Sequence, residues 1–225
     1  LDLTSESTIK IAKVVDRDHS TIIHSRNNTF EYMMSLERYR NLYKKEYNAT
    51  LDEMVILASE DTHYSVHKGS NLLSVDTISV PVDFNSREII TEELDTIVEN
   101  LISQGKKYFM VISNMATTMF GSVDNPDTYA EILTKHKVVF KIHVDGAFGG
   151  FIYPISNRQS AINFENPHVS SITIDAHKML QAPYGTGVFL CRKGLIENVL
   201  TKEGQDVDGM DLTIVGSRSG ANAIA

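Results

Sequence analysis

Short apolar, β-branched runs alternate with helix-patterned segments from Leu51 to Arg192, and that alternation leaves few folds open. MVILAS at 54–59, TISVPVD at 77–83, YFMVISN at 108–114, KIHVDGA at 141–147, SSITIDAHK at 170–178 and TGVFLCR at 186–192 read as strands. Between them HYSVHKGSNLL, TEELDTIVENLISQGK at 91–106 and PDTYAEILTKHK read as helices, the second opening on acidic residues that suit a helix N-terminus. Strands separated by helices pair in parallel through right-handed crossovers. The expected fold class is therefore α/β: a mostly parallel sheet flanked by helices, in three layers, α/β/α. Such sheets keep their ligand crevice at the carboxyl ends of the strands.

The flanks are less regular. TSES is expected to cap a helix carrying IKIAKVV, DHSTIIHSRNNTF reads as a strand and a turn, and LERYRNLYKKEY as a charged helix with Leu36, Tyr39, Leu42 and Tyr43 on one face. With 225 residues, 42% of them hydrophobic, one large domain fits better than two. The net charge of -8, with no basic run to offset it, argues against a nucleic-acid groove or an anionic membrane surface; KKEY at 44–47 and GKK at 105–107 read as solvated helix ends. No apolar run reaches membrane-spanning length, and LDLTSESTIK lacks the apolar core of a signal peptide. The single cysteine, Cys191, excludes an internal disulfide and sits in the apolar run VFLC, as a buried structural thiol would; a cytoplasmic location follows as the default. The sequence runs from Leu1 to Ala225 and stops inside the pattern of a helix start, so a missing flank is expected.

Two strand ends carry the chemistry. Asp145 closes one β-branched run and Lys178 another, so a buried sheet brings a carboxylate and an amine to one edge. That pair is what pyridoxal phosphate needs: an amine to form a Schiff base with its aldehyde, and a carboxylate to keep the ring nitrogen protonated. Each residue also has a plainer reading, Lys178 as a solvated strand end and Asp145 as the first residue of a turn with Gly146. The small residues Gly146 and Ala147 let a flat ring lie close to the backbone. His63 follows a strand and either caps the next helix or faces the crevice. His67 stands four residues on, but no HExxH motif, cysteine pair or well-spaced third ligand accompanies it, so no metal is expected. Asn114, Thr117 and Thr118 lie at another strand end, where hydroxyls more often close turns. Ser65 and Ser171 are further hydroxyl candidates, and Arg218 in VGSRSG either binds an anion or ties a helix to the sheet.

HVDGAFGGF followed by DAHKM resembles the fold type I pyridoxal-phosphate enzymes and, within them, the group II amino-acid decarboxylases. SEDTHYSVHK at 59–68 and GSRSG at 216–220 are most similar to the histidine and serine decarboxylase-like members, and the likeness runs from about Leu51 to the last residue. The resemblance implies a pyridoxal 5'-phosphate cofactor, Lys178 as its aldimine lysine, His177 near its phosphate and Asp145 at its pyridine nitrogen. Ala147 is implied on one face of the ring and His63 on the other, with Asn114 and Thr117 near the ring oxygen or the substrate carboxylate. Ala116 stands where the family usually has glycine.

The activity implied is decarboxylation of an L-amino acid, in a homodimer with active sites at the interface. Another fold type I activity, transamination or carbon-carbon cleavage, and a non-catalytic relative are the alternatives. The SEDTHYSVHK segment points toward histidine or another small polar amino acid as substrate. The family also carries a Gly-rich phosphate turn before a helix like 37–47, yet the first glycine here is Gly69. An omitted loop between Asn28 and Tyr39 is expected, the segment EYMMSLERYR reading as an abrupt join. The whole chain, 1–225, is expected to be a single cofactor-binding large domain without the family's C-terminal small domain.

Overall fold

The computed structural model describes residues 21–25, 31–182 and 187–199. Strands β1 (Thr21–Ser25), β2 (Met54–Ser59), β3 (Thr77–Val80), β4 (Tyr108–Asn114), β5 (Val139–Asp145), β6 (Val169–Asp175) and β7 (Gly187–Cys191) form one sheet in the order β1-β7-β6-β5-β4-β2-β3. The five strands from β6 to β3 pair in parallel, as the alternation predicts. Helices α1 (Glu31–Tyr47), α2 (Ser65–Leu73), α3 (Thr91–Ser103) and α4 (Pro126–Lys135) flank them, with single turns α5 (Tyr153–Ser156) and α6 (Ala176–Met179).

Alternation along the strands divides the core into two faces. In β2, Met54, Ile56 and Ala58 pack with Leu36, Tyr39, Leu42 and Tyr43 of α1, whereas Val55 and Leu57 pack with Leu94, Val98 and Leu101 of α3 and Tyr129 and Leu133 of α4. Both faces of β2 are therefore buried, which explains its unbroken apolar run. The face expected of α1 is the one buried. Local chemistry sets the helix ends: Asn125 caps α4 by accepting from the Asp127 N–H at 3.0 Å, with Pro126 in the first turn. Helix α3 stops before Gly105, whose φ of 91° continues no helix.

Three expectations change. The last strand, β7, runs antiparallel to β6, pairing Asp175 with Gly187, because the connection between them is too short for a crossover helix; β1 then adds antiparallel to β7. The strand expected at 170–178 ends at Asp175, so Lys178 projects from the α6 turn. The helix expected from His63 begins at Ser65, which leaves His63 in the loop after β2. Cys191 is buried, and burial pushes its thiol up to about 11, in keeping with a structural role.

The helix expected at IKIAKVV and the GSRSG segment with Arg218 lie outside the described residues. So do residues 26–30, just before the helix where the Gly-rich turn was expected. Among the described residues no helix is long and apolar enough to cross a membrane.

Candidate active site

Four strand ends meet at one cavity of about 330 Å³, within the size range of small-molecule sites. β2 leads into Asp61, Thr62 and His63; β4 ends at Asn114 and continues into Ala116 and Thr117; β5 ends at Asp145, followed by Ala147; β6 leads into Lys178. All of these line the cavity, as does Thr118. Parallel register makes the meeting possible, since Asn114 stands beside Asp145 across β4 and β5, and Asp145 beside Thr173 across β5 and β6.

The floor under Asp145 is built from small residues because nothing larger fits. A Cβ on Gly146 would lie 2.9 Å from the Thr173 carbonyl oxygen, and one on Gly150 would lie 2.5 Å from the Gly146 carbonyl oxygen and 2.8 Å from the Ile174 side chain. On Gly149 it would run into the Met115 carbonyl oxygen and lie 2.7 Å from Ala116 Cβ. Met115 in turn donates its N–H to the Asp145 carbonyl at 2.7 Å, and Gly149 donates to the Met115 carbonyl at 3.1 Å. The 146–150 turn is thus clamped onto the β4 loop.

Gly149→Ala should push that loop away, costing about 2–4 kcal/mol as backbone overpacking. The thermal midpoint should then fall by roughly 5–12 °C. Differential scanning calorimetry checks it, and an unchanged midpoint would show that the loop gives way freely. Ala116, where the resembling family has glycine, has φ 63°. The family preference has a physical reason, since this left-handed backbone favours glycine.

Lys178 Nζ lies 3.0 Å from Asp175 Oδ2, a carboxylate that is nearly fully buried and whose other oxygen has no hydrogen-bond partner. His177 turns its Nε2 toward the same carboxylate, at 3.9 Å, and is not on the cavity wall. Asp145 Oδ1 accepts from the Ala147 N–H at 3.0 Å, so the turn reading of this residue and its place in the cavity hold together. His63 is set by Ser65, whose hydroxyl lies 2.7 Å from Nδ1. Burial, and then the Lys178 charge, push the imidazole below its usual range, so it is neutral near pH 7 and suited to stack on an aromatic ring.

Asn114 and Thr117 are engaged from behind. Asn114 bonds Ser59, Thr62 and the buried Asp124, while the Thr117 hydroxyl lies 2.6 Å from that of Ser122. Ser122 donates to Asp61, which Arg87 grips through two nitrogens. Ser171 is not at the site: it lies inside the sheet, 2.8 Å from His143 Nδ1 and 2.5 Å from the Tyr39 hydroxyl.

Sequence reasoning missed Asp61, Thr62, Asp124 and Asp175. The three-residue spacing from Asp175 to Lys178 was the one signal available for the last. His67 is exposed and away from the cavity. Among the described residues the His, Asp and Glu side chains that do converge are Asp95, Glu99 and His136, where Lys135 already pairs with Asp95.

A lysine amine, a strand-end carboxylate, a small-residue floor and a neutral imidazole around one cavity fit pyridoxal phosphate, and with this sheet they define a fold type I pyridoxal-phosphate protein. The sequence profile of the Pyridoxal-dependent decarboxylase conserved domain matches residues 28–203, and the chain belongs to that family. It is 60% identical over 187 residues to tryptophan decarboxylase of Clostridium sporogenes, covering 83% of this chain and 45% of that protein. It is 29% identical over 174 residues to histidine decarboxylase of Vibrio anguillarum, covering 75% and 43%. The structure of Oryza sativa TDC with PLP and tryptamine superposes with a TM-score of 0.73 at 17% identity, covering 86% of this chain and 41% of that one. The chain thus spans less than half the length of these relatives.

Proposed function

We propose that this chain is the cofactor-binding large domain of an amino-acid decarboxylase that releases carbon dioxide from an aromatic L-amino acid, tryptophan first. The observation that carries the reading is the convergence of Lys178, Asp145, His63 and Ala147 on one cavity. The 60% identity to a tryptophan decarboxylase turns the choice of substrate from histidine or another small polar amino acid toward tryptophan.

Bound pyridoxal phosphate supplies the conjugated ring that takes up the electron pair left when the carboxylate departs. Lys178 would hold the cofactor through its amine. Asp145 would keep a proton on the cofactor's ring nitrogen. His63 and Ala147 would hold the ring between them and so orient the bond to be broken. Asn114 and Thr117 line the side where the ring oxygen or the substrate carboxylate would lie. His177 stands beside the Lys178 turn, where the resemblance puts the phosphate.

Tyr64, Met119, Phe120 and Phe148 leave apolar surface exposed on and beside the segments that form the cavity. We assign that surface to the second subunit of a homodimer, which would close the site, and we place the protein in the cytoplasm.

The test is incubation of the full-length protein and pyridoxal phosphate with single L-amino acids, reading carbon dioxide and amine together. Tryptamine and carbon dioxide in equal amounts from tryptophan are expected. Aminated cofactor accumulating without carbon dioxide would make it an aminotransferase. No cofactor uptake by a folded protein would leave the non-catalytic reading.

A further inference from the structure

Behind the cavity wall lies a hydrogen-bond ladder whose direction is fixed by chemistry. Asp124 is 1% exposed and does not reach the cavity. Its Oδ2 accepts from the Asn114 backbone N–H at 2.9 Å and from Asn114 Nδ2 at 2.7 Å, while its Oδ1 has no hydrogen-bond partner. Asn114 Nδ2 also donates to Ser59 Oγ at 3.0 Å. A carboxylate has no proton to give, so the Asn114 amide must turn its NH₂ to Asp124 and its oxygen away. That oxygen meets Thr62 Oγ1 at 3.2 Å and takes the only proton the hydroxyl has. Thr62 lines the cavity, and toward the cavity it can then only accept.

We propose that Asp124 is a positioning residue that acts through Asn114 to make Thr62 a hydrogen-bond acceptor facing the cavity, so that this wall selects a ligand group that donates a hydrogen bond. The inference rests on the decarboxylase reading above. Two ligands offer such a donor: the cofactor, through its ring hydroxyl, and an aromatic substrate, through an indole N–H.

The polarity argument makes the variants specific. Thr62→Val keeps the shape and removes the acceptor, while Thr62→Ser keeps it. Asp124→Asn keeps one oxygen able to accept both Asn114 bonds, whereas Asp124→Ala removes the acceptor and frees the amide to flip. Full-length protein is titrated with pyridoxal phosphate, and the loaded protein with L-tryptophan methyl ester and 1-methyl-L-tryptophan methyl ester, which lack a free carboxylate to lose. Binding is read by visible absorbance, and the fold by circular dichroism.

Thr62→Val and Asp124→Ala are expected to weaken the same ligand by about three- to tenfold, the worth of one neutral hydrogen bond. Thr62→Ser and Asp124→Asn should restore it. Loss of pyridoxal phosphate affinity assigns the donor to the cofactor. Loss of the preference for the tryptophan ester over its N-methylated form assigns it to the indole.

If Thr62→Val binds both ligands as wild type does, or Asp124→Asn is as weak as Asp124→Ala, this inference falls while the decarboxylase reading stands. Folded wild-type protein that takes up no pyridoxal phosphate overturns both.

Discussion

On the decarboxylase reading, Lys178→Ala and Lys178→Arg are both expected to lower carbon dioxide release by at least roughly 10³-fold, the scale on which loss of a covalent catalytic group is felt. The two variants separate the lysine's chemistry from its charge. Nζ sits 3.0 Å from Asp175 Oδ2, and the Asp175 side chain is 3% exposed against 30% for Lys178. Alanine removes the cation and leaves that carboxylate with His177 at 3.9 Å. Breaking a buried pair costs several kcal/mol, but the lysine is a third exposed and water screens part of the charge, so about 1–2 kcal/mol is expected. Arginine keeps a cation there and should keep most of the stability, yet its guanidinium does not condense with an aldehyde. Product release, urea unfolding and the borohydride-sensitive visible band decide the matter together. A Lys178→Arg protein with near wild-type turnover would remove Lys178 from the chemistry.

Acid should destabilise the protein through His143, against an opposing contribution from Asp124. His143 is fully buried in β5, with Ser171 Oγ 2.8 Å from Nδ1, Thr173 Oγ1 3.1 Å from Nε2 and the Phe189 ring stacked at 6.2 Å. Burial pushes its pKa down from 6.5 to about 3. Between those values the unfolded chain binds a proton that the folded chain refuses, so stability is lost as pH falls, by up to about 4–5 kcal/mol.

Asp124 has the opposite sign. Burial, with Asp61 adding, outweighs its bonds from Asn114 and Ser59 and lifts it from 3.8 to about 6. Between those values the folded chain holds the extra proton, and stability is gained as pH falls, by up to about 3 kcal/mol. His143 dominates because its shift is larger and its loss begins at higher pH. A net loss of about 1 kcal/mol from this pair is expected by pH 4. Urea unfolding from pH 7.5 to 4.5 should show His143→Gln flattening the decline and Asp124→Asn steepening it. A His143→Gln slope equal to that of wild type would mean that the imidazole is solvated.

Much of this site could be read from the order of residues. Asp145, His63, Asn114 and Lys178 each follow a short apolar run, and a parallel sheet carries the ends of such runs to one edge whatever the details of packing. The glycines after Asp145 marked a close approach, although only the structure shows that Gly149 approaches the Met115 carbonyl. Lys178 could be placed at the edge but not on a helical turn. That turn brings it onto Asp175, three residues back, where a strand would have sent the side chains to opposite faces.

What the sequence determined by itself were the properties carried by neighbours along the chain: the strand and helix periods, the α/β class and the types of residue at the strand ends. Tertiary structure alone decided the properties that depend on partners far away in the chain. The antiparallel course of β7 follows from a connection too short to cross the sheet. The position of Asp124 behind Asn114 follows from the β4 loop folding back on its strand. The ladder from Asp124 to Thr62 joins residues on two separate segments, and its polarity exists only once burial has removed the water that would otherwise satisfy each group.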